Sequence, residues 1–96
     1  MTKKDLMDWV ESTNKELTAT ATFHEFEQRF YCLPALDQTV LDSSKVLLFI
    51  KAVNVKDRRD LGLLLEDDDG LISDWAAVKR ACGHFDKRRQ WDNILV

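Results

Sequence analysis

The sequence predicts an all-α fold, a compact bundle of about five short helices in a single domain spanning residues 1–96. Three observations lead there. Apolar residues return at steps of three and four along most of the chain, the spacing of one helix face. No stretch makes a convincing strand, and no segment repeats. The connections between periodic segments are short, as in a compact helical domain.

The first helix is predicted near residues 3–17, where Leu6, Trp9, Val10, Thr13 and Leu17 share a face and Thr2 with Asp5 supplies a cap. Thr18 to Ala21 are small or β-branched and read as a connector. The second helix, near 22–33, lies in TFHEFEQRFYCL. Phe23, Phe26, Phe30 and Leu33 form its stripe, and Thr22 with Glu25 fits a capping box. Pro34 ends it, because the residue before a proline is pushed out of the α region. PALDQTVLD reads as a loop. Ser43 or Ser44 then caps a third helix near 43–53, SKVLLFIKAV. Asn54 interrupts, and VKDRRDLGLLLED gives a fourth near 56–66. EDDDG is a turn in which Gly70 is free to take positive φ. Ser73 and Asp74 open the last helix, near 73–88, with Trp75, Val78, Cys82 and Phe85 on one face. Gly83 weakens its continuation into DKRRQW. Phe23, Phe26, Phe30, Phe49 and Trp75 are the predicted core.

Composition excludes several classes. The chain is 45% hydrophobic and 32% charged with three Gly and one Pro, so it is neither disordered nor fibrous. No segment approaches the ~18 consecutive apolar residues of a membrane span. MTKKDLMDWVEST alternates charge with apolar residues and lacks the h-region of a signal peptide, so a cytoplasmic or nuclear setting is expected. In that reducing setting Cys32 and Cys82, with no CxxC pairing, are expected to be buried free thiols. The net charge of −3 is uneven: the acidic excess lies in the first half, and Glu66 to Asp69 and Lys87 to Arg89 form opposite runs in the second. The field of the whole chain does not favour a polyanion.

No catalytic or metal-binding pattern is complete. His24-Glu25 opens like HExxH, but Gln28 stands where zinc needs its second imidazole. Aligning Gly70 with the glycine of a calcium loop puts Leu65 and Ala76 at ligand positions. Cys82 and His84, two apart on a helix, point to different faces and cannot pair as nucleophile and base. GxGxxG, GKS/GKT and GxSxG are absent. The expectation is no enzyme, no catalytic residues, no metal and no cofactor.

Binding is the remaining class. In KVLLFIKAV, Val46, Phe49, Ile50 and Val53 make one stripe, and Leu47, Leu48 and Ala52 cover much of the rest. A helix apolar nearly all round must be buried on more than one side. LGLLLED repeats the problem at Leu61, Leu63, Leu64 and Leu65. Such a helix is either fully central or shares its surplus face with a partner. Ser44, Leu47, Leu48 and Lys51 are the candidate homodimer interface. A separate basic group, Lys79, Arg80, Lys87, Arg88 and Arg89 with Trp91, is either a phosphate-and-stacking patch or a solvated helix end opposing the negative C-terminal dipole. No RRM or zinc-knuckle pattern accompanies it.

The order of these segments resembles a known family. FHEFEQRFYCL resembles the helix after the major homology region of retroviral capsid proteins, with Phe23, Phe26, Arg29, Phe30 and Leu33 at its characteristic positions. SSKVLLFIKAV is similar to the capsid dimerisation helix and KDRRDLGLLLED to the short helix after it. SDWAAVKRACGHF resembles the closing helix, including its small pair at Ala81-Cys82. LMDWVESTNKEL is similar to the leading helix of gypsy-type long-terminal-repeat retrotransposon Gag proteins. The likeness covers roughly Leu6 to Phe85. One element departs: Ala19 to Thr22 stand where the Gln-Gly…Glu element belongs. The likeness is therefore to a retrotransposon or domesticated Gag rather than an orthoretroviral one, and no function of that loop is carried over. The resemblance implies a capsid C-terminal-domain-like module that forms homodimers and contributes to capsid or scaffold assembly. The family's zinc knuckles are not among these residues, so RNA is at most an indirect partner. The alternative expectation is a helical nucleic-acid-binding or transcription-associated domain using Lys87, Arg88, Arg89 and Trp91.

Overall fold

The computed structural model describes residues 1–12 and 16–95, and its architecture follows from how the phenylalanine stripe is covered. Six α-helices run through those residues: α1 (Lys3–Ser12), α2 (Ala19–Tyr31), α3 (Ala35–Leu41), α4 (Lys45–Ala52), α5 (Val55–Leu64) and α6 (Trp75–Leu95). A 3-10 turn, Asp42–Ser44, leads into α4. A two-stranded antiparallel hairpin, β1 (Glu66–Asp67) and β2 (Gly70–Leu71), joins α5 to α6. The chain is all-α, with that hairpin its one β element among the described residues.

Phe23, Phe26 and Phe30 of α2 are buried, and rings from three other helices close on the stripe. Trp9 of α1 lies 6.4 Å from Phe26, Phe49 of α4 lies 5.7 Å from Phe23 edge-on, and Trp75 of α6 stacks on Phe23 at 4.6 Å. Edge-to-face and offset contacts of this kind suit the ring quadrupole. Around them close Leu6, Val10, Val46, Leu48, Ala52, Val53, Leu61, Leu65, Val78, Cys82 and Phe85. Trp75 departs from the predicted core. It is only partly buried, because its indole N–H donates to Glu27 Oε2 at 2.7 Å and holds that edge at the rim.

The helix starts show what local sequence reads well and badly. Thr2 and Asp5 form the predicted cap reciprocally: the Thr2 amide donates to Asp5 Oδ2, and the Asp5 amide to Thr2 Oγ1. The Thr2 amide, then its hydroxyl, holds the Asp5 carboxyl below its ordinary value. The cap is therefore complete at neutral pH and is lost only as pH falls through that lowered value. Thr13, assigned above to this helix, lies outside the described residues. Leu17 sits half-buried in the bend before α2.

The capping box at Thr22 and Glu25 is not formed. α2 starts earlier, with Thr18 as N-cap accepting from the Ala21 amide, so the predicted connector is the first turn of the helix. Thr22 is buried in that turn and donates its hydroxyl to the Thr18 carbonyl. The cause is remote: Asp86 on α6 accepts from the Ala19 amide at 3.2 Å and the Thr20 amide at 2.9 Å. A carboxylate at a helix N-terminus satisfies orphan amides and opposes the dipole.

PALDQTVLD is not a loop but contains α3. Pro34 stands at its N-cap, where a missing N–H costs nothing, and no residue of the helix is buried. Without a buried stripe it had no periodic signal. Ser44 precedes α4 as proposed, yet no serine side chain caps it, since the 3-10 turn already feeds the helix. Asp74 accepts from the Ala76 amide and opens α6, which runs through Gly83 to Leu95, past the predicted end. Gly70 has φ +113° in the hairpin, as the turn requires.

Two substitutions test this account. Phe30→Ala should cost about 3–5 kcal/mol in a denaturant melt, from lost burial and the cavity left. Asp86→Ala should cost about 1.5–3 kcal/mol, the range for hydrogen bonds to a charged group. An Asp86→Ala melt superimposable on the parent would show that the carboxylate does not hold α2 to α6.

Candidate functional site

α4 is the central helix, packed by α1, α2 and α5. That packing divides the four residues predicted to share one interface. Leu47 is 47% exposed and borders a pocket of about 180 Å³ with Leu71, Ile72 and Trp75. Leu48 is buried in the core, which corrects its assignment as a free interface residue. It lines instead a cleft of about 370 Å³ with Met7, Val10, Glu11, Lys51 and Arg58. Sequence periodicity placed Leu48 outside because nothing in it announced that α1 would lie across that side. Lys51 is exposed at the same cleft, and Ser44 is half-buried at the start of the helix. The accessible apolar part of the α4 face is therefore Leu47, beside Leu71 of the hairpin.

Lys45 is the residue the sequence reading missed. Although charged, it is buried, and its ammonium lies 4.6 Å from the Phe30 ring, 4.7 Å from Tyr31 and 4.3 Å from Trp75. It donates to Tyr31 Oη at 3.0 Å. Ring faces stabilise a desolvated cation, so this cage is filled by the chain's own side chain and fixes the start of α4 against α2 and α6. A lone lysine heading an apolar helix was the only signal available.

The basic group is less free than its sequence suggests. Arg89 bridges Asp57 at 3.1 Å and Asp60 at 3.0 Å, with its guanidinium 5.0 Å over Phe85. It thereby joins α6 to α5. Lys87, Arg88 and Trp91 are exposed, as are Lys79 and Arg80. Arg88 and Arg89 share a cleft of about 390 Å³ with Asp60, Asp92, Leu63, Leu64 and Phe85. Two carboxylates in the groove would repel a phosphate backbone. Of the leucine run, Leu61 of α5 and Leu65 at its C-cap are core, while Leu63 and Leu64 are exposed.

Among the described residues, no group of three or more His, Cys, Asp or Glu could hold a metal ion, and no helix is long and apolar enough to cross a membrane. The acidic turn is the β1–β2 hairpin, where Asp67 accepts from the Asp69 amide. His24 and His84 are exposed. Both cysteines are free thiols, but Cys32 is exposed, against the expectation that both are buried. It follows the last turn of α2, where its amide caps the helix and its side chain leaves the core. No family model, curated protein or solved structure matches the chain.

The two thiols should report the fold differently. Burial, and secondarily the charge of Asp86, pushes the Cys82 thiol up to about 12. The folded state thus keeps a proton that the unfolded chain releases near the ordinary thiol value. That contribution is present below the ordinary value and is lost as pH rises towards 12. At neutral pH a maleimide should label Cys32 at once and Cys82 about 1,000-fold more slowly, at the rate of unfolding. Equal labelling rates would show that Cys82 is not buried.

Proposed function

We propose that this chain is a non-enzymatic self-association module, a Gag capsid-like unit whose homodimers contribute to capsid or scaffold assembly. One observation carries the reading: after the core is closed, Leu47 and Leu71 remain uncovered around the pocket beside Trp75. Large apolar residues grouped at one place are what an interface between protein chains uses. The resemblance of the α2, α4, α5 and α6 segments to capsid helices supports the same reading, and RNA would be met only indirectly. The nucleic-acid-binding or transcription-associated alternative would rest on Lys87, Arg88 and Trp91. The engagement of Arg89 by Asp57 and Asp60 weighs against it.

The test is solution mass against concentration. The chain should rise above the 11.2 kDa of a monomer. Leu47→Asp should weaken association by at least about tenfold while leaving helical signal and melting unchanged, since its carboxylate is desolvated only in the complex. A chain that stays monomeric at the highest attainable concentration overturns the reading. A salt-dependent shift with RNA or DNA would favour the alternative.

A further inference from the structure

The most exposed large apolar side chains among the described residues away from α3 lie at the end of α6. Trp91 and Ile94 are 64% and 76% exposed, on the same stretch of α6 that brings Arg88, Arg89 and Asp92 to the cleft bordered by Leu63 and Leu64 of α5. The charges there are divided in a specific way. Asp60 and Arg89 are already paired with each other. Arg88 and Asp92 have no hydrogen bond or ion pair among the described residues. They stand four residues apart on one side of the helix, with Trp91 next to them on that side.

We propose that this end of α6 is a self-association surface whose occupant is α6 of a second copy, laid antiparallel across a two-fold axis level with Gln90. That axis sets Arg88 of each copy level with Asp92 of the other, so both unpaired charges are matched twice. At a rise of 1.5 Å per residue it brings the two Trp91 side chains to about 3 Å of each other along the axis. A second copy is the partner that necessarily supplies both signs in register, because a two-fold contact is self-complementary. A polyanion supplies one sign and would meet Asp60 and Asp92. The inference rests on the self-association reading above and adds a surface separate from Leu47. A protomer with two different two-fold surfaces does not close at a dimer; copies can add at either one.

The experiment uses the Leu47→Asp chain, which removes the α4 contact, with Arg88→Asp or Asp92→Arg added. Leu47→Asp alone should be a dimer. Each charge variant should lose self-association by about 100-fold, because like charges then face each other twice. Mixing the two separately monomeric variants should restore a heterodimer, since every facing pair is again opposite in sign; a pairing within one chain cannot do this. Repeating the mixture with Leu47 intact gives a second reading if Leu47→Asp disturbs the fold. Charge variants that remain dimeric, or a mixture that remains monomeric, overturn the α6 contact. A monomeric Leu47→Asp chain with an associating parent overturns it while leaving the α4 reading in place. A monomeric parent overturns both.

Discussion

Everything in this fold is arranged around one constraint, the burial of three phenylalanines on α2. Phe23, Phe26 and Phe30 cannot be covered by any single neighbour, so α1, α4 and α6 each bring an aromatic ring to the stripe. Trp75 and Phe49 both reach Phe23 and Phe26 and meet each other edge-on at 5.9 Å. Burial of each ring contributes roughly 1.5–3 kcal/mol, a substantial share for three residues of so short a chain. The remaining helices are placed by what this leaves over. α5 closes the base through Leu61 and Leu65, and α3 runs along the outside with none of its residues buried.

Much of this was legible in the sequence, and the misses share a cause. The stripes of α2, α4 and α6 follow from spacing alone, because a buried face imposes its period on the residues that form it. The Thr2–Asp5 cap was legible because both partners are three residues apart. The start of α2 was not, because its decisive acceptor, Asp86, is remote in sequence. α3 was missed because a helix that buries nothing leaves no period. Of the predicted interface, Leu47 and Lys51 are exposed and Leu48 is core, since only the path of α1 decides which side of α4 is covered. Arg89 looked like surface charge until Asp57 and Asp60 were brought to it by the packing of α5 on α6.

Lys45 shows how the same packing handles a charge. Its ammonium has three rings around it, one of them the Tyr31 phenol to which it donates, and no ion pair with a carboxylate among the described residues. Lysine is rarely buried without a partner, and here the partner is the negative face of the aromatic cluster itself. The cluster thus does two things at once: it fills the core and it holds a cation at the junction of α2, α4 and α6. The exposed Leu47 beside this junction and the exposed Trp91 at the end of α6 both lie on elements the cluster has already fixed.

The bond from Asp86 to the start of α2 spans 67 residues. During synthesis α2 emerges long before its acceptor exists. Its first amides then have only Thr18 and water, and its phenylalanines have no Trp75 to stack on. A nascent chain lacking α6 therefore carries an unfinished core and an aromatic face open to other molecules. Completion waits for α6, and it comes at once for both defects, because the same helix delivers the indole and the carboxylate. A ribosome that pauses before residue 86 would hold the chain in its most adhesive state.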